Sequence, residues 1–227
     1  MGDHWDRPGW TDGKRTYYWM LTFSRATELL GLAEHCQKAL HHLGMDPVPS
    51  DGLHVTMLRV GPTDPVSMDQ VQQLLALAQD LPSRAFRLLA HPLAGSRGAI
   101  RFSLTPWRPV IHLHAALTDA DERVGIPGGR PTSAFRPHLG IAYNNRARPA
   151  APVVDAVEQL RSRPPAVLDV TTVELVELRR QAGRTGGGPC TRSPCALEFP
   201  PSSASRAGDH RPTDGRPRRP VPPPWAA

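Results

Sequence analysis

Two histidines lie in similar short sequences, one in each half of the chain. His54 and Thr56 alternate with apolar residues in the stretch 53–58, and His138 and Gly140 do so in the stretch 136–143. Because alternate side chains of a β-strand point to the same face, each histidine shares a face with the residue two positions later. If the two halves are related by a pseudo-twofold, the two imidazoles face each other.

Two opposed imidazoles suit phosphodiester chemistry. A neutral imidazole takes a proton from the attacking oxygen while a protonated one gives a proton to the leaving oxygen, and both titrate near neutral pH. A hydroxyl on the same strand face, such as that of Thr56, donates to a phosphate oxygen as charge develops there. This pattern predicts metal-independent chemistry with no cofactor.

The elements that must position these residues follow from hydrophobic periodicity and turn signals. The predicted order is β-α-β-α-β-β-α-β-α-β, with a histidine on a strand in each half. The predicted strands are 16–23, 53–60, 84–93, 99–104, 135–143 and 166–178, and the predicted helices are 24–44, 67–81, 109–122 and 152–161.

Composition excludes several classes of protein. The 227-residue chain has no stretch approaching the roughly 18 apolar residues of a membrane span. It begins without the basic start and apolar run of a signal peptide. Three cysteines do not form a disulfide framework. We therefore expect a soluble cytoplasmic protein.

The chain divides into three parts by composition. Residues 1–15 are predicted to be a lead-in loop, residues 16–179 a folded domain, and residues 180–227 a tail rich in Pro, Gly and Arg. The tail carries eight Arg against three acidic residues, so most of the net charge of +6 belongs to it. Few large aliphatic residues occur there, which predicts disorder. A basic tail of this kind can bind RNA nonspecifically.

The tandem motifs resemble those of the 2H phosphoesterase superfamily, and in particular its bacterial 2′-5′ RNA ligase-like branch, which includes RNA 2′,3′-cyclic phosphodiesterases. The resemblance covers roughly residues 10–180. Its residues are Trp19-Met20-Leu21, Leu53-His54-Val55-Thr56-Met57, Arg136-Pro137-His138, Ala142-Tyr143-Asn144 and the stretch 173–180. It implies a bilobal, duplicated α+β fold in which two antiparallel sheets with outer helices surround a central cleft. It also implies RNA ends or cyclic nucleotides as substrates, and we expect a monomer.

The resemblance also suggests roles for individual residues. His138 is expected to be the base and His54 the acid, with Thr56 donating to phosphate. Gly140 stands where the family has Thr or Ser, so one phosphate-binding hydroxyl is absent. Arg136 and Tyr143 flank the second motif, where contact with phosphate or base and a purely structural role are equally compatible with the sequence.

Other candidate residues are weighed between structural and functional roles. Strict alternation turns Arg59 away from the face of His54, unless a bulge intervenes. Arg101 and Ser103 lie on the predicted hairpin and could reach a cleft, but no sequence feature decides whether they do. His112 and His114 lie two apart on a predicted helix and therefore diverge, which argues against a shared metal ion.

Two functions remain open at this point. The first is hydrolysis of 2′,3′-cyclic phosphates, with 2′-5′ RNA ligation as the related reverse chemistry. The second is a catalytically impaired relative that binds nucleotides or RNA ends without turnover. Gly140 motivates the second function. The end of the chain also motivates it, because it lacks the aromatic last strand of the family. A frameshift would explain that difference.

Overall fold

The computed structural model describes residues 1–6, 13–126, 129, 131–179 and 191–200. Within these residues, helices separate some of the strands, and other strands follow one another directly. The strands are β1 (Arg15–Thr22), β2 (Asp46–Pro47), β3 (His54–Pro62), β4 (Phe86–Gly95), β5 (Ala99–Thr105), β6 (His138–Tyr143), β7 (Ala166–Val170), β8 (Thr172–Arg179) and β9 (Thr191–Glu198). The α-helices are α1 (Thr27–Ala39), α2 (Met68–Gln79), α3 (Trp107–Arg123) and α4 (Ala151–Glu158).

The strands form two antiparallel sheets. Sheet A has the strand order β3-β1-β8-β9, and sheet B has the order β2-β6-β5-β4-β7. The two strands that begin at the histidines, β3 and β6, lie against each other where the sheets meet. The expected α+β fold with two antiparallel sheets is therefore confirmed.

Helices cover one face of each sheet. In sheet A, α3 packs on β3 and α2 on β9, while in sheet B α1 packs on β6 and β7 and α4 on β4. Helix α1 follows a strand of sheet A but covers sheet B, and α3 follows a strand of sheet B but covers sheet A. Each lobe is thus built from both halves of the sequence. This exchange joins the lobes through shared apolar packing.

Local sequence explains where α2 starts and which side it buries. Ser67 caps the helix in a capping box, accepting from the Gln70 backbone while the Gln70 side chain accepts from the Ser67 backbone. Val71, Leu74 and Ala78 form its buried face, as their helical spacing predicts. Capping and periodicity therefore agree for this helix.

The predicted strand 166–178 is two strands. Thr171 alone separates β7, which pairs with β4 in sheet B, from β8, which pairs with β1 in sheet A. Its backbone carbonyl accepts from Phe199. The prediction of one strand was wrong because β-branched residues continue through the crossing, so no Gly or Pro marks the change of sheet.

The prediction of disorder from residue 180 was wrong for residues 191–198. They form β9, which pairs along the whole length of β8, from Arg179 opposite Thr191 to Thr172 opposite Glu198. Leu197 is buried in the core, and the Ala85 backbone donates to the Pro200 carbonyl. Pairing satisfies the edge of β8, a gain that composition does not reveal. Residues 180–190 and 201–227 of the predicted tail lie outside the described residues.

The beginning of the chain packs on the end of β6. The Gly2 carbonyl accepts from the Asn144 side chain, and the His4 backbone donates to the Asn144 carbonyl. Trp5 Nε1 donates to Asp46 at 2.8 Å. Residues 1–6 have no regular structure and contact sheet B, residues 7–12 of the predicted lead-in lie outside the described part, and β1 already begins at Arg15.

None of the helices described is long and apolar enough to cross a membrane. In the same part of the chain, no group of three or more His, Cys, Asp or Glu side chains is placed to hold a metal ion.

Candidate active site

His54 and His138 are held in the same way. Each is the first residue of its strand, and each ring donates through Nδ1 to the carbonyl two residues earlier: His54 to Gly52 at 2.7 Å and His138 to Arg136 at 2.8 Å. Because a carbonyl only accepts, the neutral ring must carry its proton on Nδ1. Its basic nitrogen is then Nε2 in both histidines.

Both histidines lie on the sheet faces opposite the helices. Val55 and Met57 are buried beside His54, and Leu139 and Ile141 are buried beside His138. The histidines are half-buried and exposed, respectively. We call the face that carries His54 and Thr56 in sheet A, and the face that carries His138 and Gly140 in sheet B, the histidine faces.

Cross-strand pairing identifies the neighbours of each histidine. His54 is opposite Thr22, and His138 is opposite Ser103. Opposite residues in an antiparallel pair point to the same face. Both histidines therefore have a hydroxyl side chain beside them on the adjacent strand. Arg101, opposite Gly140, also lies on this face.

A β-bulge after the first motif changes the face of Arg59. Trp19 is opposite Leu58 and Met20 is opposite Thr56, so Met57 has no opposite residue on β1. The extra residue shifts the alternation by one. Arg59 is then opposite Tyr18, on the histidine face, and it is exposed. The expectation that Arg59 points away from His54 was wrong for this reason.

A second bulge follows the second motif at the equivalent position. Arg101 is opposite Gly140 and Ile100 is opposite Ala142, so Ile141 has no opposite residue on β5. The alternation shifts again, and Tyr143 joins Gly140 on the histidine face.

The Tyr143 ring lies over Gly140. A Cβ on Gly140 would be 3.4 Å from the Tyr143 hydroxyl oxygen and 3.5 Å from its Cε1. The ring also stacks on His4, with centroids 4.0 Å apart, and Trp5 meets it edge-on at 5.4 Å. Tyr143 is therefore held in place above the second motif.

Arg136 contacts the turn that precedes β6. Its guanidinium Nη1 donates to the carbonyls of Ser133 and Phe135, both at 2.8 Å, and the guanidinium lies over the Trp107 ring at 5.9 Å. These contacts shape the turn whose next carbonyl, that of Arg136 itself, holds His138. Of the two residues that flank the second motif, Tyr143 is placed on the histidine face by strand pairing, whereas Arg136 precedes β6 and no pairing assigns it a face.

His114 supports the same turn from below. Its Nδ1 is 2.9 Å from Thr132 Oγ1, and its ring stacks on Phe135 with centroids 4.2 Å apart. Burial lowers the pKa of His114, which favours the neutral ring. His114 thus packs in the core beside the second motif.

Glu174 provides a negative charge on the histidine face of sheet A. It is opposite Met20 on β8, and Thr22 Oγ1 donates to its carboxylate at 2.6 Å. Since Thr22 is itself opposite His54, the carboxylate lies on the same face as His54. The sequence does not identify Glu174, because its pattern predicts one strand over residues 166–178 and gives no sign that β8 pairs with β1.

Trp19 fixes the opposite face of β1 to helix α3. Its Nε1 donates to Asp121 at 3.1 Å, and both side chains are fully buried. Burial raises the pKa of Asp121 to about 6, although the Trp19 bond acts to lower it. The second carboxylate oxygen of Asp121 has no hydrogen-bond partner among the described residues.

Comparisons with known proteins identify the family and the fold. The sequence model of the 2′-5′ RNA ligase superfamily matches residues 28–182. No curated protein sequence matches. Among solved structures, E. coli LigT complexed with NADP+ is similar at 20% identity over 84% of this chain and 99% of that chain, with a TM-score of 0.60.

Two further structures have the same fold. E. coli LigT complexed with 3′-AMP is 20% identical over 81% of this chain and 98% of that one, with a TM-score of 0.59. The protein TT0787 of Thermus thermophilus is 18% identical over 82% of this chain and 98% of that one, also with a TM-score of 0.59. Taken with the family match over most of the domain, they show that this chain belongs to the 2′-5′ RNA ligase superfamily of 2H phosphoesterases.

Proposed function

We propose that the protein hydrolyses 2′,3′-cyclic phosphates at RNA ends or on nucleotides, without a metal ion, by acid–base catalysis between His54 and His138. The observation that carries this proposal is the matched anchoring of the two rings. Each sits at the start of a strand with Nδ1 bonded to a carbonyl, and the two strands, β3 and β6, contact each other. A reaction that removes one proton and delivers another needs two such groups.

The proposed reaction begins when water attacks the cyclic phosphate. Nε2 of one neutral histidine removes a proton from that water as the new oxygen–phosphorus bond forms. The bond between phosphorus and one ribose oxygen breaks, and the second histidine, protonated, gives its proton to that oxygen. Proton exchange with solvent then restores both rings. The carbonyl at Nδ1 stabilises either ring in its protonated form.

We assign the acid to His54 and the base to His138. The Glu174 carboxylate lies on the face of His54, bonded to Thr22, the residue opposite His54. A negative charge on this face stabilises an imidazolium at His54. His138 has Ser103 opposite it and is exposed.

The remaining groups on the histidine faces suit a phosphate ester. Thr56, two residues after His54, supplies a hydroxyl donor, and Arg59, on the same face, supplies a positive charge. Hydrogen bonds and charges that meet a developing negative charge lower the barrier. With the 5′-hydroxyl of a second RNA end in place of water, the same steps join a 2′-5′ linkage.

The solved relatives support a nucleotide substrate class. E. coli LigT, which shares the fold, has been crystallised with NADP+, ATP, 3′-AMP and phosphate. The proposed site has the donors and positive charge that a nucleotide phosphate requires. We accordingly propose RNA ends or cyclic nucleotides as substrates and a monomer as the working form.

A second candidate is a binding protein without turnover. The observation that favours it is Gly140, which removes one hydroxyl from the second motif. A single preorganised donor contributes about 10²–10³ in rate in comparable sites.

The test is hydrolysis of an oligonucleotide ending in a 2′,3′-cyclic phosphate, in the presence of EDTA, with calorimetric binding of the same oligonucleotide in parallel. The proposal expects turnover in EDTA. Binding without turnover by the folded protein would instead support the second candidate, and turnover abolished by EDTA would contradict the metal-independent mechanism.

A further inference from the structure

We infer that the Tyr143 hydroxyl replaces the hydroxyl that Gly140 lacks, so that Tyr143 is the phosphate donor of the second motif. This inference rests on the proposed phosphoester chemistry and specifies the group that serves it. It also gives a reason for glycine at position 140.

The position of the Tyr143 hydroxyl fits this role. Thr56 follows His54 by two residues, and its equivalent, Gly140, follows His138 by two residues. The oxygen nearest to the missing side chain is the Tyr143 hydroxyl, 3.4 Å from the point where a Cβ on Gly140 would lie. A threonine hydroxyl lies one bond beyond Cβ, so the phenol places an oxygen in the region that such a hydroxyl would reach.

A β-bulge brings Tyr143 to this position. Without the bulge at Ile141, a residue three positions after Gly140 would point into the core. The bulge places Tyr143 on the histidine face, opposite Ala99. The matching bulge at Met57 places Arg59 on the face of His54. In both halves, a β-bulge thus brings the fifth residue after the histidine onto the histidine face.

Steric exclusion favours glycine beside this ring. The Tyr143 ring occupies the space beside Gly140, with hydroxyl, Cε1 and Cζ at 3.4, 3.5 and 3.6 Å from the Cβ position. A methyl group makes ordinary contact at these distances. A threonine hydroxyl directed at the ring would come closer to the phenol oxygen than this Cβ position does, whereas a phenylalanine ring leaves the place of that oxygen open. A hydroxyl at position 140 and the phenol in its present place therefore compete for one space.

The Tyr143 ring is already fixed. His4 stacks on it with an interplanar angle of 23°, and Trp5 packs against it edge-on. A donor held before substrate arrives loses little entropy when it binds phosphate. Preorganisation of this kind gives a donor its value in catalysis.

The experiment moves the hydroxyl between the two positions. Tyr143→Phe keeps the ring and its stacking but removes the hydroxyl, and Gly140→Thr/Tyr143→Phe returns a hydroxyl at position 140. Gly140→Ala/Tyr143→Phe is the matched control, since it adds bulk without a hydroxyl. The substrate is 2′,3′-cyclic AMP, measured for both turnover and calorimetric binding, with thermal unfolding to confirm that each variant is folded.

We expect Tyr143→Phe to lower kcat/KM about 10²–10³-fold, as loss of one oxyanion donor does. The threonine double variant should exceed Tyr143→Phe in kcat/KM, and the alanine double variant should not. Wild-type turnover that is unchanged in Tyr143→Phe would overturn this inference and leave the proposed function standing.

If the wild type binds 2′,3′-cyclic AMP without turnover, the proposed hydrolysis is wrong. The inference about Tyr143 is then tested by comparing the binding affinities of the variants. Tyr143→Phe should then bind more weakly, with affinity regained in the threonine but not the alanine double variant. Equal affinity of wild type and Tyr143→Phe would overturn the inference. Absence of both turnover and binding in the wild type would overturn both proposals.

Discussion

Arg59 and Tyr143 occupy equivalent places in the two halves of the molecule. Each follows its histidine by five residues, and each returns to the histidine face through a bulge at the third residue after that histidine. One half therefore offers a guanidinium and the other a phenol. Bulges often change the direction of side chains at active sites. Here the two bulges do so at equivalent positions in the two halves.

Arg59→Gln should weaken the interaction with phosphate. Loss of a charge-assisted contact costs about 1.5–3 kcal/mol, which is roughly a 10- to 100-fold decrease in kcat/KM for a cyclic nucleotide. Steady-state kinetics at low ionic strength measure this decrease in kcat/KM. Arg87→Gln is the control, because Arg87 is an exposed arginine whose partner is Asp169, at 2.9 Å. Equal effects of the two substitutions would contradict a specific role for Arg59.

Glu174→Gln should change the pH dependence of the reaction. The acid must be protonated to act, so activity falls at high pH as His54 loses its proton. Removing the Glu174 charge removes a stabilising influence on the imidazolium, and the high-pH limb of kcat/KM should move to lower pH. Glu177→Gln is a control on the same strand, since Glu177 pairs with Arg15. A shift of the low-pH limb alone would instead place the base, not the acid, at His54.

Asp121→Asn should remove a pH dependence of stability. The folded-state pKa of Asp121 is raised by burial from 3.8 to about 6, so the folded state binds the proton more tightly than the unfolded state. Stability from this group is present below pH 3.8 and is lost as pH rises through about 6, a difference of about 3 kcal/mol. Urea unfolding at pH 4 and pH 7 measures it.

The wild type should therefore lose more stability than Asp121→Asn between those two pH values. The asparagine side chain of the variant retains an oxygen that accepts from Trp19 Nε1. An identical change in wild type and variant would show that Asp121 does not titrate differently in the folded state.

Truncation after Arg180 should destabilise the domain. It removes β9 and leaves β8 as an open edge, and it exposes the pocket of Leu197, whose burial contributes about 1.5–3 kcal/mol. Truncation after Pro200 keeps β9 and serves as the control. Thermal unfolding should show a lower Tm only for the shorter chain. Equal Tm values would contradict a structural role for β9.

The sequence predicts the motif strands well and their continuation poorly. Val55 and Leu139 are buried next to His54 and His138 because simple alternation holds at the start of both strands. It fails three residues later, where each bulge adds a residue: no Gly or Pro stands beside Met57, whereas Gly140 directly precedes the bulge at Ile141. Arg59 was therefore assigned to the wrong face, and the side of Tyr143 stayed open.

Long-range pairing accounts for the other differences. Thr171 carries the chain from one sheet to the other within a continuous β-branched stretch, and β9 forms because β8 offers an edge. The Glu174 carboxylate beside Thr22 depends on the pairing of β8 with β1. None of these relationships has a local sequence signal, whereas the helix capped by Ser67 has one in its periodicity and was predicted correctly.

The measurement that tests the account most directly is hydrolysis of a 2′,3′-cyclic-phosphate-ended oligonucleotide in EDTA by wild type, His54→Ala, His138→Ala and the double variant. The account predicts turnover by the wild type, loss in each single variant, and little further loss in the double variant, because the two rings act in one step. Circular dichroism should show all four proteins folded. Turnover by the folded double variant equal to that of the wild type would contradict the two-histidine mechanism.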